Sequence, residues 1–127
     1  MTFKKIRLEL ARDHDFPNGS REHGYEFAAP VGPDGFLDPE SWKKHRRECW
    51  ALRFWGDADE ETGHLVRKPG GSWAFHYDTH GDEDDDESGY RFGNHKFVIG
   101  EYVSIREHDD KLRTFRVVSV EDLPARR

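Results

Sequence analysis

The sequence predicts a mostly β domain of the α+β class: a strongly bent antiparallel sheet or small barrel with one α-helix near residues 39–49. Three observations lead there. Apolar and polar residues alternate in segment after segment, the period of a half-buried strand. These segments recur every ~8–12 residues between clusters of Gly, Pro, Asn and Asp, the spacing of an antiparallel meander that curls on itself. A single stretch carries both helix-start signals and a helical period.

The elements follow in chain order. Ile6, Leu8 and Leu10 alternate with Arg7 and Glu9 in a first strand. A turn at Pro17-Asn18-Gly19-Ser20 leads to a second strand centred on Tyr25 and Phe27, and residues 30–35 break the chain again. Asp38 can then cap a helix, because its carboxylate accepts from free first-turn amides, and Pro39 fits the first helical position, where no amide is needed. Trp42, His45 and Cys49 mark one face of that helix. After it, "WALRFW" alternates Trp50, Leu52 and Phe54, "HLVRK" reads as a strand, and Pro69-Gly70-Gly71 reads as a hairpin turn. "SWAFHYD" alternates Trp73, Phe75 and Tyr77, and strands around "YRF", "KFVIGEYVSIRE" and "TFRVVSVEDL" complete the sheet. The expected core is Ile6, Leu8, Leu10, Phe27, Trp42, Leu52, Phe54, Trp73, Phe75, Tyr77, Phe92, Val103, Ile105 and Val117.

Composition sets the outer bounds. The 127 residues fit one domain, 1–127, with one core. Apolar residues are 34% and charged residues 36%, so the core must rest on the large rings among nine Phe, four Tyr and four Trp. The net charge is −6, and the run Asp82, Glu83, Asp84, Asp85, Asp86, Glu87 supplies six negative charges by itself, leaving the remainder formally neutral. A general basic field for nucleic acid or an anionic membrane is therefore disfavoured. Cys49 is the single cysteine, which excludes an intrachain disulfide and suits a reducing compartment. Neither a secretory leader nor an apolar run of membrane-spanning length is evident, and the expected location is cytoplasmic.

Two resemblances follow from quoted residues. "FVIGEYVSIRE" with "FRVVSVEDL" resembles the strand pair of many SH3-like small β-barrels, in which a Gly before an acidic residue turns the chain into a strand. That likeness covers about a quarter of the chain and concerns architecture, not ligand. More broadly, "RFWG…GHLVRKPGGSWAFHYD…YRFG…FVIGEYVSIRE" resembles a family of short conserved hypothetical bacterial proteins of unknown function. This resemblance spans most of the chain and implies no activity, cofactor or site residue.

Four constellations could carry chemistry. His76, Asp78 and His80 share one strand face, opposite Trp73, Phe75 and Tyr77. His76 and Asp78 are close enough to share an ion, but His76 and His80 stand about 13 Å apart in an extended chain. They converge only if the chain turns at Thr79–Gly81, with His95 or His64 available to complete a zinc-type site. The competing reading is an outward, solvated strand face. In the acidic run, Asp84, Asp86, Ser88 and Gly89 match positions 1, 3, 5 and 6 of a calcium-binding EF-hand loop. His95 stands where the bidentate Glu belongs and the flanks read as strands, so a solvated loop fits better.

The helix presents Lys43, Lys44, Arg46 and Arg47 beside Trp42 and Trp50, a cationic patch with aromatic neighbours. Five cations against three acids leave only +2 over residues 38–55. The acidic loop could dock on this patch, within the chain or on a second copy. Cys49 and His45 lie four apart, but no orienting group or oxyanion site accompanies them, so a buried structural Cys is expected. The favoured function is a small, soluble, non-enzymatic binding or interaction module. Its partner is an unidentified protein or small ligand, held in a groove lined by Trp42, Trp50 and Trp55 with Lys43, Arg46 and Arg47. No cofactor is expected. The alternative is a metal-binding protein or metal-dependent enzyme using a divalent ion at His76, Asp78 and His80; a weak nucleic-acid binder acting through residues 42–50 is the third reading.

Overall fold

The computed structural model describes residues 2–78, 87–90, 92–107 and 109–124, and among them eight antiparallel strands form one closed barrel. The strands are β1 (Thr2–Leu10), β2 (Ser20–Val31), β3 (Trp50–Trp55), β4 (Glu61–Arg67), β5 (Trp73–Tyr77), β6 (Glu87–Tyr90), β7 (Tyr102–Arg106) and β8 (Leu112–Asp122). Each pairs with the next in sequence, and β8 returns to pair with β1 from Lys4↔Asp122 to Leu10↔Phe115. Closure removes the unpaired edges that an open sheet would leave. Gly100 takes φ +97 just before Glu101, so the chain does turn into β7 on a glycine, where a side chain would be strained.

Pairing decides which side chains face inwards. Ile6↔Phe27 and Leu8↔Tyr25 pair across β1–β2, Leu65↔Phe75 across β4–β5, and Val103↔Phe115 across β7–β8; all eight are buried. An eight-stranded barrel has an interior just wide enough for side chains to fill, and rings fill much of this one. Phe75 lies 5.2 Å from both Tyr25 and Phe27 and 6.0 Å from Phe92, and Phe92 lies 5.2 Å from Phe97. Each such buried ring contributes roughly 1.5–3 kcal/mol relative to exposure. Gly89 makes room for the plug: a Cβ there would stand 2.5 Å from the Phe92 ring.

Strand β3 departs from expectation. Its pairing sets Arg53 opposite Tyr25 and Ala51 opposite Phe27, so Ala51, Arg53 and Trp55 take the inward phase. Leu52 and Phe54, expected in the core, lie on the outer phase and are half-buried, with the Arg7 guanidinium 4.2 Å over the Phe54 ring. A one-residue change of phase exchanges every side chain between the faces of a strand. In "WALRFW" both phases contain rings, and the partner strand decides between them.

The helix α1 (Pro39–His45) is followed by a 3-10 turn at Arg46–Glu48, within the expected span 39–49. Asp38 caps it, accepting from the Glu40 and Ser41 amides at 3.1 and 3.3 Å. Trp42 is its buried anchor: the indole N–H donates to the Leu65 carbonyl at 2.9 Å, and the ring packs edge-on against Trp73 at 5.6 Å. Cys49 is fully buried, which pushes its thiol up to about 12 and makes it a packing residue, not a nucleophile.

A meander sends successive connections to alternate ends of the barrel. The helix end carries the β2–β3, β4–β5 and β6–β7 connections, including α1. The opposite end carries residues 11–19, 56–60, 78, 107 and 109–111; residues 79–86, which join β5 to β6 in sequence, lie outside the described residues. Leaving out the buried Glu107, the described residues of that end's connections hold 8 Asp and Glu against 2 Lys and Arg, a net −6. The described residues of the three connections at the helix end (32–49, 68–72 and 92–101) hold 5 acids against 6 bases, a net +1. The modest net charge of the chain therefore conceals a marked polarity along the barrel axis.

Candidate functional site

Inside the barrel, near the acidic end, five strands and a strand exit bring polar side chains together. Tyr25 comes from β2, Arg53 from β3, Tyr77 from β5, Glu87 from β6, Arg113 from β8, and Glu107 lies one residue beyond β7. Glu87 and Glu107 are almost wholly buried, at 0% and 3% exposure. Tyr77 donates to Glu87 Oε1 at 2.5 Å, and the Tyr25 hydroxyl lies 2.9 Å from the same oxygen and 2.6 Å from Glu107 Oε2. Arg53 donates to Glu107 through Nε and Nη2 at 3.3 and 3.2 Å and lies 3.6 Å from Glu87. Its Nη1 faces Glu61 on β4 at 3.7 Å.

The protonation states follow from burial and pairing. Burial holds both tyrosines well above their ordinary pKa, and the neighbouring carboxylates add to this, so both stay neutral donors. Burial also raises Glu107, partly offset by Tyr25 and Arg53. For Arg53, burial alone would lower the pKa; Tyr25, Glu107 and Glu87 outweigh it and the guanidinium stays charged. Tyr25 has one hydroxyl proton but two carboxylate neighbours. With that one proton it donates to one of the two carboxylates at a time.

The end is closed from above. The Trp55 ring lies under the Arg53 guanidinium at 4.3 Å and 5.5 Å from that of Arg113, and Phe16 and His23 pack on it at 6.1 and 4.6 Å. Burial lowers the pKa of His23. Arg113 donates to Asp13 at 2.9 Å and Asp15 at 3.0 Å, fastening the 11–19 connection over the barrel. Its Nε stands 3.0 Å from Glu107 Oε1, an ion-pair distance, but the N–H is misaligned and makes no hydrogen bond among the described residues. We treat this contact as charge attraction alone.

This cluster was not foreseen, although a signal existed. The inward alternation Val103, Ile105 continues to Glu107, and Arg113 stands in phase with Phe115 and Val117, so charges occupy core positions. Glu87 was read as the last member of a solvated acidic run; it is instead a buried strand residue.

The foreseen residues are dispersed. Trp42 sits under the helix against Trp73, Trp50 lies on the outer phase of β3 opposite His64, and Trp55 caps the acidic end. The three rings therefore do not line one groove. Lys43, Lys44, Arg46 and Arg47 are exposed at the helix end, the far end of the barrel from the acidic connections. Docking of the acidic loop on this helix concerns residues 82–86, which lie outside the described residues. His76 and Asp78 are on the outer face of β5 and just past it, whereas His80 and residues 82–86 lie outside the described residues. Among the described residues no group of three or more His, Cys, Asp or Glu is placed to cage a metal ion.

Fold and site together define a closed, eight-stranded antiparallel barrel filled by its own rings and sealed at one end by a buried Tyr–Glu–Arg network. Comparison with family models, with curated proteins and with solved structures found no match to this chain. Among the described residues no helix is long and apolar enough to cross a membrane.

Proposed function

We propose that the protein is a small, soluble, non-enzymatic interaction module that recognises a cationic partner with the acidic end of its barrel. The observation that supports this reading is charge polarity on a filled barrel. The interior groups with catalytic chemistry, Glu87, Glu107, Arg53 and the two tyrosines, are spent on one another. Recognition then falls to the outside, where a net −6 on the described connections of one end, to which the sequence of the run 82–86 adds five more acids, creates a field that steers positive partners and repels nucleic acid. The fastened 11–19 connection and the Trp55 cap give those charges a rigid base. A lone, buried Cys49 suits a cytoplasmic setting.

Titration with oligolysine, with oligoglutamate as control, tests the reading. Oligolysine is expected to bind at low salt, to weaken steeply as salt rises, and to weaken again when Asp82–Asp86 are replaced by their amides. Absence of oligolysine binding, or preferential binding of oligoglutamate or an oligonucleotide through Lys43, Lys44, Arg46 and Arg47, contradicts it.

A further inference from the structure

We propose that His64 and His76 form a two-point chelate for a borderline transition-metal ion such as Zn²⁺, Ni²⁺ or Cu²⁺ on the outer face of the barrel, with Asp78 orienting His64. The two histidines are direct cross-strand partners in the β4–β5 register. Both belong to the outward phase, since Gly63, Leu65, Phe75 and Tyr77 on either side take the buried one. Directly opposite residues on antiparallel strands have Cβ atoms about 4.5–5.5 Å apart. Two imidazole nitrogens on one ion at about 2.0–2.1 Å each are about 3 Å apart, a span that side-chain rotation from this register can meet.

Asp78 supplies the second element of the argument. Its carboxylate lies 3.5 Å from His64 Nδ1, an ion-pair contact. A carboxylate beside Nδ1 favours the tautomer with its proton there and its lone pair on Nε2, the arrangement by which metal-binding histidines are oriented once the contact closes to a hydrogen bond. Imidazole donors select Zn²⁺, Cu²⁺ and Ni²⁺ over Ca²⁺ and Mg²⁺, which prefer oxygen. The chelate has two protein donors, and water completes the shell. Trp50 stands opposite His64 on β3 and places a fluorophore next to the ion.

The test is calorimetric titration of the untagged full chain with NiCl₂ and ZnCl₂, alongside His64→Gln, His76→Gln and Asp78→Asn. All three positions lie on or beside the outer face, and circular dichroism checks that each variant folds. Saturable binding that either His substitution abolishes is the expected result. Asp78→Asn should weaken it about tenfold or more. Excess Mg²⁺ or Ca²⁺ should not compete, and Ni²⁺ or Cu²⁺ should quench Trp fluorescence in the wild type but not in Trp50→Phe. The proposal is overturned if the wild type fails to bind or if either His variant binds like wild type. Competition by Ca²⁺ at equal concentration also overturns it, because that marks an oxygen site in the acidic connection.

Discussion

The two ends of the barrel solve one problem with opposite materials. At the helix end the interior is closed by Phe27, Phe92 and Phe97, with Trp42 and Trp73 beneath a short helix. At the acidic end it is closed by two glutamates, two arginines and two tyrosines under Trp55. Apolar closure is tolerant, since rings of similar volume replace one another at modest cost. Polar closure is conditional, because each member is satisfied only while its partners keep their charge and place. The difference teaches that stability should respond to pH and to charge-removing substitutions at one end and to volume at the other.

The largest expected effect is at the polar end. Arg53→Met leaves the Glu87–Glu107 pair without its central cation and should cost about 3–5 kcal/mol in urea unfolding at neutral pH. Phe75→Ala, in the ring layer between the ends, should cost a similar amount, about 3–5 kcal/mol. Acid separates them. As the carboxylates protonate, the Arg53→Met penalty should shrink, whereas the Phe75→Ala penalty should not change. Equal pH dependence of the two would erase the proposed distinction.

The next effect is the pH slope of the wild type. Glu107 has its pKa raised in the folded state, so its contribution is fully present below the unfolded value and is lost as pH rises through the raised one. Asp13 is lowered by the Asp15 amide and by Arg113 against the opposing effect of burial, so its contribution is present above its unfolded value and is lost as pH falls. The two slopes oppose each other. Glu107→Gln should remove the decline on the rising side, and Asp13→Asn the loss on the acid side, in unfolding free energies measured from pH 3 to 8 (roughly the carboxylate-to-neutral range). The smallest expected effect is at the helix end, where Asp38→Ala removes a cap and should cost about 1 kcal/mol, without altering either slope.

Much of this architecture was legible in the sequence. The alternations Ile6–Leu8–Leu10, Trp73–Phe75–Tyr77 and Val103–Ile105 located strands and faces correctly because the large apolar residues of each run share one phase. Asp38-Pro39 located the helix because capping chemistry is local. In β3 both phases carry rings, so its face depended on pairing with Tyr25 and Phe27, a long-range fact. The polar cluster was hidden for the same reason. Glu87 and Glu107 look like surface acids until residues 62 and 82 positions away in sequence supply Tyr25, as the register of a closed barrel demands. The proposed metal pair lies between these cases: His76 was singled out from its strand, but His64 becomes its partner through the β4–β5 register and not through spacing along the chain.

The central functional claim is that recognition belongs to the acidic end. Backbone amide NMR shifts on adding oligolysine at low salt test it most directly. The account expects shifts concentrated in residues 11–19, 56–60, 78–87 and 107–111, fading as salt is raised. Shifts centred on residues 39–48 and the helix end, or none at all, would contradict it.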